Sequence, residues 1–321
     1  MPELPEVEVV RRGLEPRTVG RVVDEVEVVD PRIIRRQSGG ADRLAAALVG
    51  SRLTAVVRRG KFLWWRLADP DGQDTGEALM GHLGMSGQLR VRTPDPAPTA
   101  LLPPSEGPAP DPLRHRRASL HLDDGTVIDM VDQRIFGGLW TSPLQPTADG
   151  AVAGLGSPDE LLPDDAAGIA RDLLDPAADL PAIARTLRSR RAPVKSLLLA
   201  QDVVSGIGNI YADEALWAAR TRYDTPGNAL TQRRALSILR EAGAVMERAL
   251  GAGGTSFDAL YVNVDGRSGY FARSLAAYGK DGEPCPRCGT LIRRDVHQAR
   301  SSFYCPRCQR PLPRARKDQV R

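Results

Sequence analysis

The sequence predicts an α+β protein in three parts: a β-rich N-terminal region, a helical region and a small cysteine-bearing module near the C-terminal end. Three observations carry that expectation. Short β-branched runs broken by Gly and Pro fill residues 20–140, apolar residues recur at helical spacing over 181–250, and all four cysteines fall within 285–308. At 321 residues the chain is long enough for two or three domains with cores of their own.

Residues 5–14 read as a helix, because Pro5 suits a first helical position and Val7, Val10 and Leu14 share one face. The runs GRVVDEVEVV (20–29), SRLTAVVRRGKFLWWRL (51–67) and GTVIDMV (125–131) read as strands of a sandwich or a barrel, with one helical interruption, ADRLAAALV (41–49). The proline-rich stretch 93–112 is expected to be a disordered surface loop between strands. Residues 143–180, rich in Asp, Pro and Ala, read as a linker with partial helix. VKSLLLAQ (194–201), NIYADEALWAA (209–219) and QRRALSILREAGAVMERAL (232–250) read as helices. The first two flank S-G-I-G-N (205–209), a tight glycine turn whose Asn209 suits a helix N-cap and whose amides suit an anion; an ordinary helix connection is the plainer reading. A glycine-bearing loop, 251–271, precedes the cysteines. The expected domains are 1–142, a linker at 143–180, a helical domain with its loop at 181–278, a cysteine module at 279–312 and a basic tail at 313–321.

No apolar run approaches the roughly 18 residues that a membrane-spanning helix needs, and no secretory leader pattern opens the chain, so a cytosolic protein is expected. Net charge is +4, yet residues 285–321 carry ten Lys/Arg against two acids while the other 284 residues sum to −4. Such a basic end suits a polyanion, most simply nucleic acid, although charge alone fits a solvated tail as well. Only four of the 44 basic residues are lysines, which makes each lysine mildly informative: lysine alone of the two can lose its proton at accessible pH.

The strongest motif is C-P-R-C (285–288), sixteen residues, then C-P-R-C (305–308). Two such pairs suit a tetrahedral four-thiolate zinc site, structural because protein fills every position. Disulfides are disfavoured in a reducing cytosol, and a redox pair lacks a thioredoxin-like context. The intervening LIRRDVHQARSSFY (291–304) reads as a metal-braced β-hairpin that would offer Arg293, Arg294 and Arg300 to phosphates. The opening MPELPEVEVV poses a different question. Pro2, Glu3, Pro5 and Glu6 are either a stiffened lead into a helix or a reagent.

In order along nearly the whole chain, PELPEVE (2–8), RRGKFLWW (58–65), HLGMSG (82–87), DQRIFGG (132–138), SGIGNIYADEALW (205–217) and the four-cysteine end resemble the bacterial formamidopyrimidine-DNA glycosylases. The resemblance implies a β-sandwich joined to a helix–two-turn–helix domain and a C-terminal hairpin zinc finger, with DNA in the cleft between domains. It further implies one structural zinc, double-stranded DNA with oxidised bases as partner, and a monomer in the bacterial cytoplasm, nucleoid-associated when on DNA. The activity implied is that of a bifunctional glycosylase and AP lyase, excising 8-oxoguanine and formamidopyrimidines and nicking by β,δ-elimination. With Met1 removed, Pro2 becomes a terminal amine; an α-amino group, with a pKa of about 7.7–8, is partly neutral near pH 7 and can attack C1′, whereas a lysine would need a large downward shift. The resemblance assigns proton transfer to Glu3, with Glu6 as possible support beside its role at the helix start. It assigns base recognition or β-elimination to Lys61, where a surface lysine on an edge strand is the plain reading, and δ-elimination to Arg300, where phosphate contact alone is the plain reading. Met85, Arg134 and Phe136 match residues that fill the gap left by a flipped base, though such apolar residues usually lie in cores. Lys195, Asn209, Arg190 and Arg300 are expected at phosphates, and His115 aligns with a DNA-contacting histidine. Three departures stand out: Ile135, where many relatives carry a second arginine, the long insertion at 93–112, and a divergent lid-like segment at 254–271. The competing readings are an endonuclease VIII-type enzyme for oxidised pyrimidines, which typically opens PEGPE rather than PELPE, and a catalytically silent zinc-finger binder of damaged DNA.

Overall fold

The computed structural model describes residues 2–94, 111, 113–254, 264 and 271–311. They divide into two compact units, Met1–Arg171 with Arg248–Ala272 and Asp172–Glu247 with Arg273–Arg321. Most of 93–112, most of 251–271 and everything from 312 onward lie outside the described residues. Among the described residues, no helix is long and apolar enough to cross a membrane.

The first unit opens with helix α1 (Leu4–Thr18), which runs past the expected end at residue 14 in spite of Pro16. Side chains account for the extension: Arg17 donates to the Gly13 carbonyl at 2.8 Å and Thr18 Oγ1 to the Leu14 carbonyl at 3.0 Å, so the last turn is not left without donors. Then follow β1 (Val23–Val28), α2 (Gly40–Leu48), β2 (Arg52–Arg59), β3 (Phe62–Ala68), β4 (Asp74–His82), β5 (Gln88–Arg92), β6 (Arg116–Leu122), β7 (Val127–Val131), β8 (Gly138–Pro146) and β9 (Leu161–Pro163). The strands form two antiparallel sheets, ordered β2-β3-β4-β8-β9 and β1-β6-β7-β5. One core joins them: Leu53, Leu63, Trp65 and Leu79 from the first sheet bury with Val23, Leu89, Leu120 and Ile128 from the second, and Val7, Val10 and Leu14 of α1 close it. The sandwich alternative therefore holds, not a single barrel. The outer face of the first sheet is also covered, with Val57, Trp64, Met80 and Trp140 packed on Ala153, Leu162 and Ala166. That explains why FLWWRL reads as a continuous apolar run: its strand is buried on both faces.

Residues 143–171 are not the linker that composition suggested. β8 continues to Pro146, β9 pairs with it, and Arg171 reaches Asp149 at 2.6 Å, which anchors the stretch to the first unit. Pairing to a sheet edge leaves no pattern in so short a strand, so the sequence does not display it.

The second unit holds α3 (Leu180–Ser189), α4 (Val194–Leu199), α5 (Asn209–Ala218), most of α6 (Gln232–Gly251), β10 (Arg293–His297) and β11 (Arg300–Tyr304). Two turns join α4 to α5, and Gln201 fastens them. Its amide donates to the carbonyls of Leu199 and Ile207, and its oxygen accepts from Gly206 N–H at 2.9 Å, with Gly206 at φ +86°. The expected N-cap shifts by one residue. Gly208 is extended and caps α5, while Asn209 is its first helical residue. Consecutive acids on α5 then fix the C-terminal module. Glu214 accepts the amides of Ala276, Ala277 and Tyr278 at 2.8–2.9 Å, and Asp213 accepts that of Phe303 at 2.9 Å.

Candidate functional site

In the first unit the expected catalytic residues begin at the foot of α1. Pro2 and Glu3 are buried, and Glu6 accepts the Glu3 amide at 2.9 Å while the Glu3 carboxylate accepts the Glu6 amide, a reciprocal capping box. Pro5 occupies the second helical position, not the first. The structural role of Glu6 is thereby in place. One turn on, fully buried Glu8 accepts from Arg11 at 3.1 Å, Arg12 at 2.9 Å and Arg58 at 2.9 Å. Burial alone would raise the Glu8 pKa, but hydrogen bonds and charge from Arg11 and Arg58 hold it below its ordinary value. Arg58, also fully buried, donates to the Gly60 carbonyl at 3.2 Å, next to Lys61. A buried ion cluster thus ties the helix that starts beside Pro2 to the turn that carries Lys61. Lys61 is not within a strand and not on the surface: it occupies the two-residue turn between β2 and β3 at 7% exposure.

The three expected base-stack residues share a second local assembly. Met85 and Phe136 are 42% and 52% exposed, and Arg134 is exposed beside them in sequence. Neither side chain is in the core, so the plain reading of Met85 and Phe136 as core residues does not hold. Buried Asp132 organises both loops: its carboxylate accepts from Ser86 Oγ at 2.6 Å, Arg134 N–H at 3.1 Å and Gly137 N–H at 2.8 Å. From the other side the Arg35 guanidinium donates to the carbonyls of Ile135, Phe136 and Gly137 at 3.2, 2.9 and 2.6 Å. Between these clamps Ile135 adopts φ +56°, costly for a β-branched residue. The Met85 loop presses on the same segment, since a Cβ on Gly84 would lie 2.4 Å from the Phe136 carbonyl carbon. His82 accepts the Gly84 amide on Nδ1 at 3.1 Å, and burial, then the charges of Arg36, Lys61 and Arg35, push its pKa down to about 4. His115 is half-buried, and its carbonyl accepts the Asp132 amide at 2.9 Å.

In the second unit, Asn209 and Lys195 converge on the hairpin that carries Arg300. Asn209 Nδ2 donates to the Ser301 carbonyl at 3.0 Å; Lys195 Nζ donates to the same carbonyl at 2.8 Å and to Ser302 Oγ at 2.8 Å, and forms an ion pair with Asp213 at 2.7 Å. Lys195 was expected to face phosphates, but its side chain is fully buried against Ser301, Ser302 and Asp213. It braces the hairpin instead. Arg300 is exposed just after the turn at Gln298 and Ala299, which have φ values of +49° and +59° and give the tight reversal its left-handed pair. Arg190, 39% exposed at its side chain, pairs with Asp202 at 2.9 Å.

The four cysteines are free thiols, and their sulfurs all lie within 4.8 Å of one another, with Cys288 3.5 Å from both Cys305 and Cys308. A tetrahedral ion with metal–sulfur bonds of about 2.3 Å needs edges of about 3.8 Å. The donor set and spacing fit one Zn²⁺ held by Cys285, Cys288, Cys305 and Cys308, and Trp217 Nε1–H donates toward Cys285 Sγ at 3.4 Å as outer support. Glu8, Arg58, Asp132, Arg35 and Asp213 had no expected role. Arg58 and Asp132 lie inside the motifs RRGKFLWW and DQRIFGG, and charged residues embedded in buried strand ends were the available signal.

A sandwich that starts at a buried proline, the exposed Met85, Arg134 and Phe136, and helices that carry a four-thiolate hairpin fit a class: a zinc-finger DNA glycosylase. The family model of the formamidopyrimidine-DNA glycosylase N-terminal domain matches residues 1–139, that of the formamidopyrimidine-DNA glycosylase H2TH domain matches 169–259, and that of the zinc finger found in FPG and IleRS matches 282–311. The chain belongs to the formamidopyrimidine-DNA glycosylase family. It is 50% identical to the formamidopyrimidine-DNA glycosylase of Kineococcus radiotolerans over 98% of this chain and 99% of that one. Among solved structures, MutM (Fpg) of Thermus thermophilus superposes with a TM-score of 0.74 at 32% identity, covering 97% of this chain and all of that one. A MutM in complex with carbocyclic 8-oxo-G containing DNA gives 0.73 at 28% identity, covering 96% and 100%.

Proposed function

We propose that this chain is a bifunctional DNA glycosylase and AP lyase of base excision repair, acting on oxidised purines in duplex DNA within the bacterial cytoplasm. With Met1 removed, the Pro2 nitrogen attacks C1′ of the damaged nucleoside, the base leaves, and the opened sugar is held as an imine on Pro2. Glu3, next to that nitrogen, moves protons during ring opening, and Lys61, fixed through the Glu8–Arg58 cluster, faces the damaged nucleotide. Met85 and Phe136 fill the space the flipped base leaves, and Arg134 bonds the orphaned partner base. Asn209, Arg190 and Arg300 meet backbone phosphates, and His115 adds a DNA contact. Lys195 serves by holding the hairpin that presents Arg300, which assists the second elimination. Zinc keeps that hairpin folded and takes no part in the chemistry.

The observation that carries this reading is the wedge: Met85 and Phe136, large and apolar, are held out in water by one buried carboxylate. A core role would hide them. The test uses an oligonucleotide with 8-oxoguanine opposite cytosine. Base release, strand nicking and a borohydride-stable adduct mapped to the N-terminal peptide are expected. An adduct on Lys61, or full activity with an uncleaved N-terminal tag, would overturn the Pro2 mechanism. Preference for an oxidised pyrimidine would favour the endonuclease VIII-type reading.

A further inference from the structure

At the far end of α5 from Asn209, the second unit contains a cavity of about 450 Å³ walled by Arg220, Arg222, Arg234, Arg307 and Arg310, with Thr225 among them. An adjoining hollow of about 380 Å³ shares Arg220, Arg307 and Arg310 and adds Arg287. Among the described residues no Asp or Glu lines either, though Cys308 lines both and Cys288 the smaller, so the thiolate cluster borders the arginines. Arg222 is already paired with Asp224 at 3.1 Å, Arg234 donates to the Ala219 carbonyl at 2.8 Å, and Arg287 stacks on Trp217 at 4.1 Å. The side chains of Arg220 and Arg307 meet no acceptor among the described residues, and both are exposed.

Arg220 is the telling residue. It ends α5 in a Schellman turn, with Thr221 N–H on the Leu216 carbonyl at 2.9 Å and Arg220 N–H on the Trp217 carbonyl at 3.1 Å. That turn puts Arg220 at φ +50°, the position where glycine is favoured. A strained arginine at a glycine position, opening on a hollow whose arginines outnumber the bordering thiolates, indicates a function that the strain serves. Guanidinium forks and threonine hydroxyls suit phosphate oxygens. Ten residues of α5 rise about 15 Å, so this hollow is not part of the Asn209 end.

We propose that the hollow binds the phosphodiester backbone of a second nucleic-acid segment, apart from the strand carrying the damaged base. The inference rests on reading the chain as a DNA-acting enzyme, so excision of 8-oxoguanine is followed in separate aliquots and fails independently of it. The zinc-loaded full chain is titrated with an undamaged 12-base-pair duplex at low salt, and stoichiometry is read by sedimentation. Two duplexes per chain are expected. R220G combined with R307S should weaken the second duplex at least tenfold and lower its salt slope by about one to two, with the excision rate unchanged. R220G alone should raise Tm by about 2 °C, because glycine relieves the strain. One duplex per wild-type chain, or two per variant chain, would overturn the proposal, as would a fall in Tm for R220G. Inorganic polyphosphate should displace the second duplex; if polyphosphate binds there while duplex stoichiometry stays at one, the site serves a free phosphate compound. Displacement by poly-glutamate but not by polyphosphate would instead assign the hollow to an acidic protein.

Discussion

Asp132 concentrates three donors on one buried carboxylate, and the two loops it joins carry every expected wedge residue. D132A would leave those donors without their acceptor at a cost of about 1–3 kcal/mol, read by urea unfolding. Excision of 8-oxoguanine should fall while binding to undamaged duplex stays within about twofold, because phosphate contacts dominate the latter. D132N keeps one acceptor oxygen and should lose less of both. Equal losses on damaged and undamaged DNA would reduce Asp132 to a folding residue. His82 supplies a pH test. Its folded pKa of about 4 lies below the ordinary 6.5, so between those values the unfolded chain binds more protons and stability rises with pH. The contribution is complete above pH 6.5 and is lost as pH falls toward 4, by as much as about 3 kcal/mol. H82Q should flatten that slope in thermal unfolding measured across the window.

At the scale of elements, α5 works as a mount. Its first residue reaches the hairpin through Asn209, its middle holds Phe303 and Lys195 through Asp213, and Glu214 grips the segment that enters the cysteine module. Burial raises the Asp213 pKa to about 7 even beside Lys195, so K195M leaves a neutral buried carboxyl that has lost one partner, at a cost of about 1–3 kcal/mol. Hydrogen exchange at the hairpin amides should accelerate while amides of β2–β4 stay protected. The double variant K195M with D213N should lose less than the sum of the two single losses, a coupling that separate, independent effects would not give. In the sandwich, the Glu8–Arg58 cluster joins α1 to the β2–β3 turn in the same manner. R58M should lower excision more than it lowers DNA affinity, since it loosens the placement of Lys61 and leaves the phosphate contacts alone; a matched loss of both would argue for general unfolding.

Over the whole molecule, metal and charge act on different parts. Chelation should remove one Zn²⁺ per chain, weaken DNA binding and leave the β-sandwich signal in circular dichroism, because the thiolate cluster stabilises only its own small module. Retained affinity after full zinc loss would show that the hairpin folds without metal. Binding should fall steeply with salt, and R300A should reduce the slope by about one if Arg300 meets one phosphate.

By itself the sequence determined the strand-rich and helical regions, the thiolate cluster, the hairpin and the order of motifs, because each is written in local spacing: alternation, helical recurrence, or paired cysteines two residues apart. Tertiary structure alone decided that residues 143–171 pair into the first unit, that Lys61 is buried in a turn, and that Lys195 faces the hairpin instead of solvent. It also decided that Met85 and Phe136 stand exposed. A side chain's burial depends on what residues distant in the chain place around it, so no local pattern records it; Asp132 meets Ser86 across 46 positions and Lys195 meets Ser302 across 107.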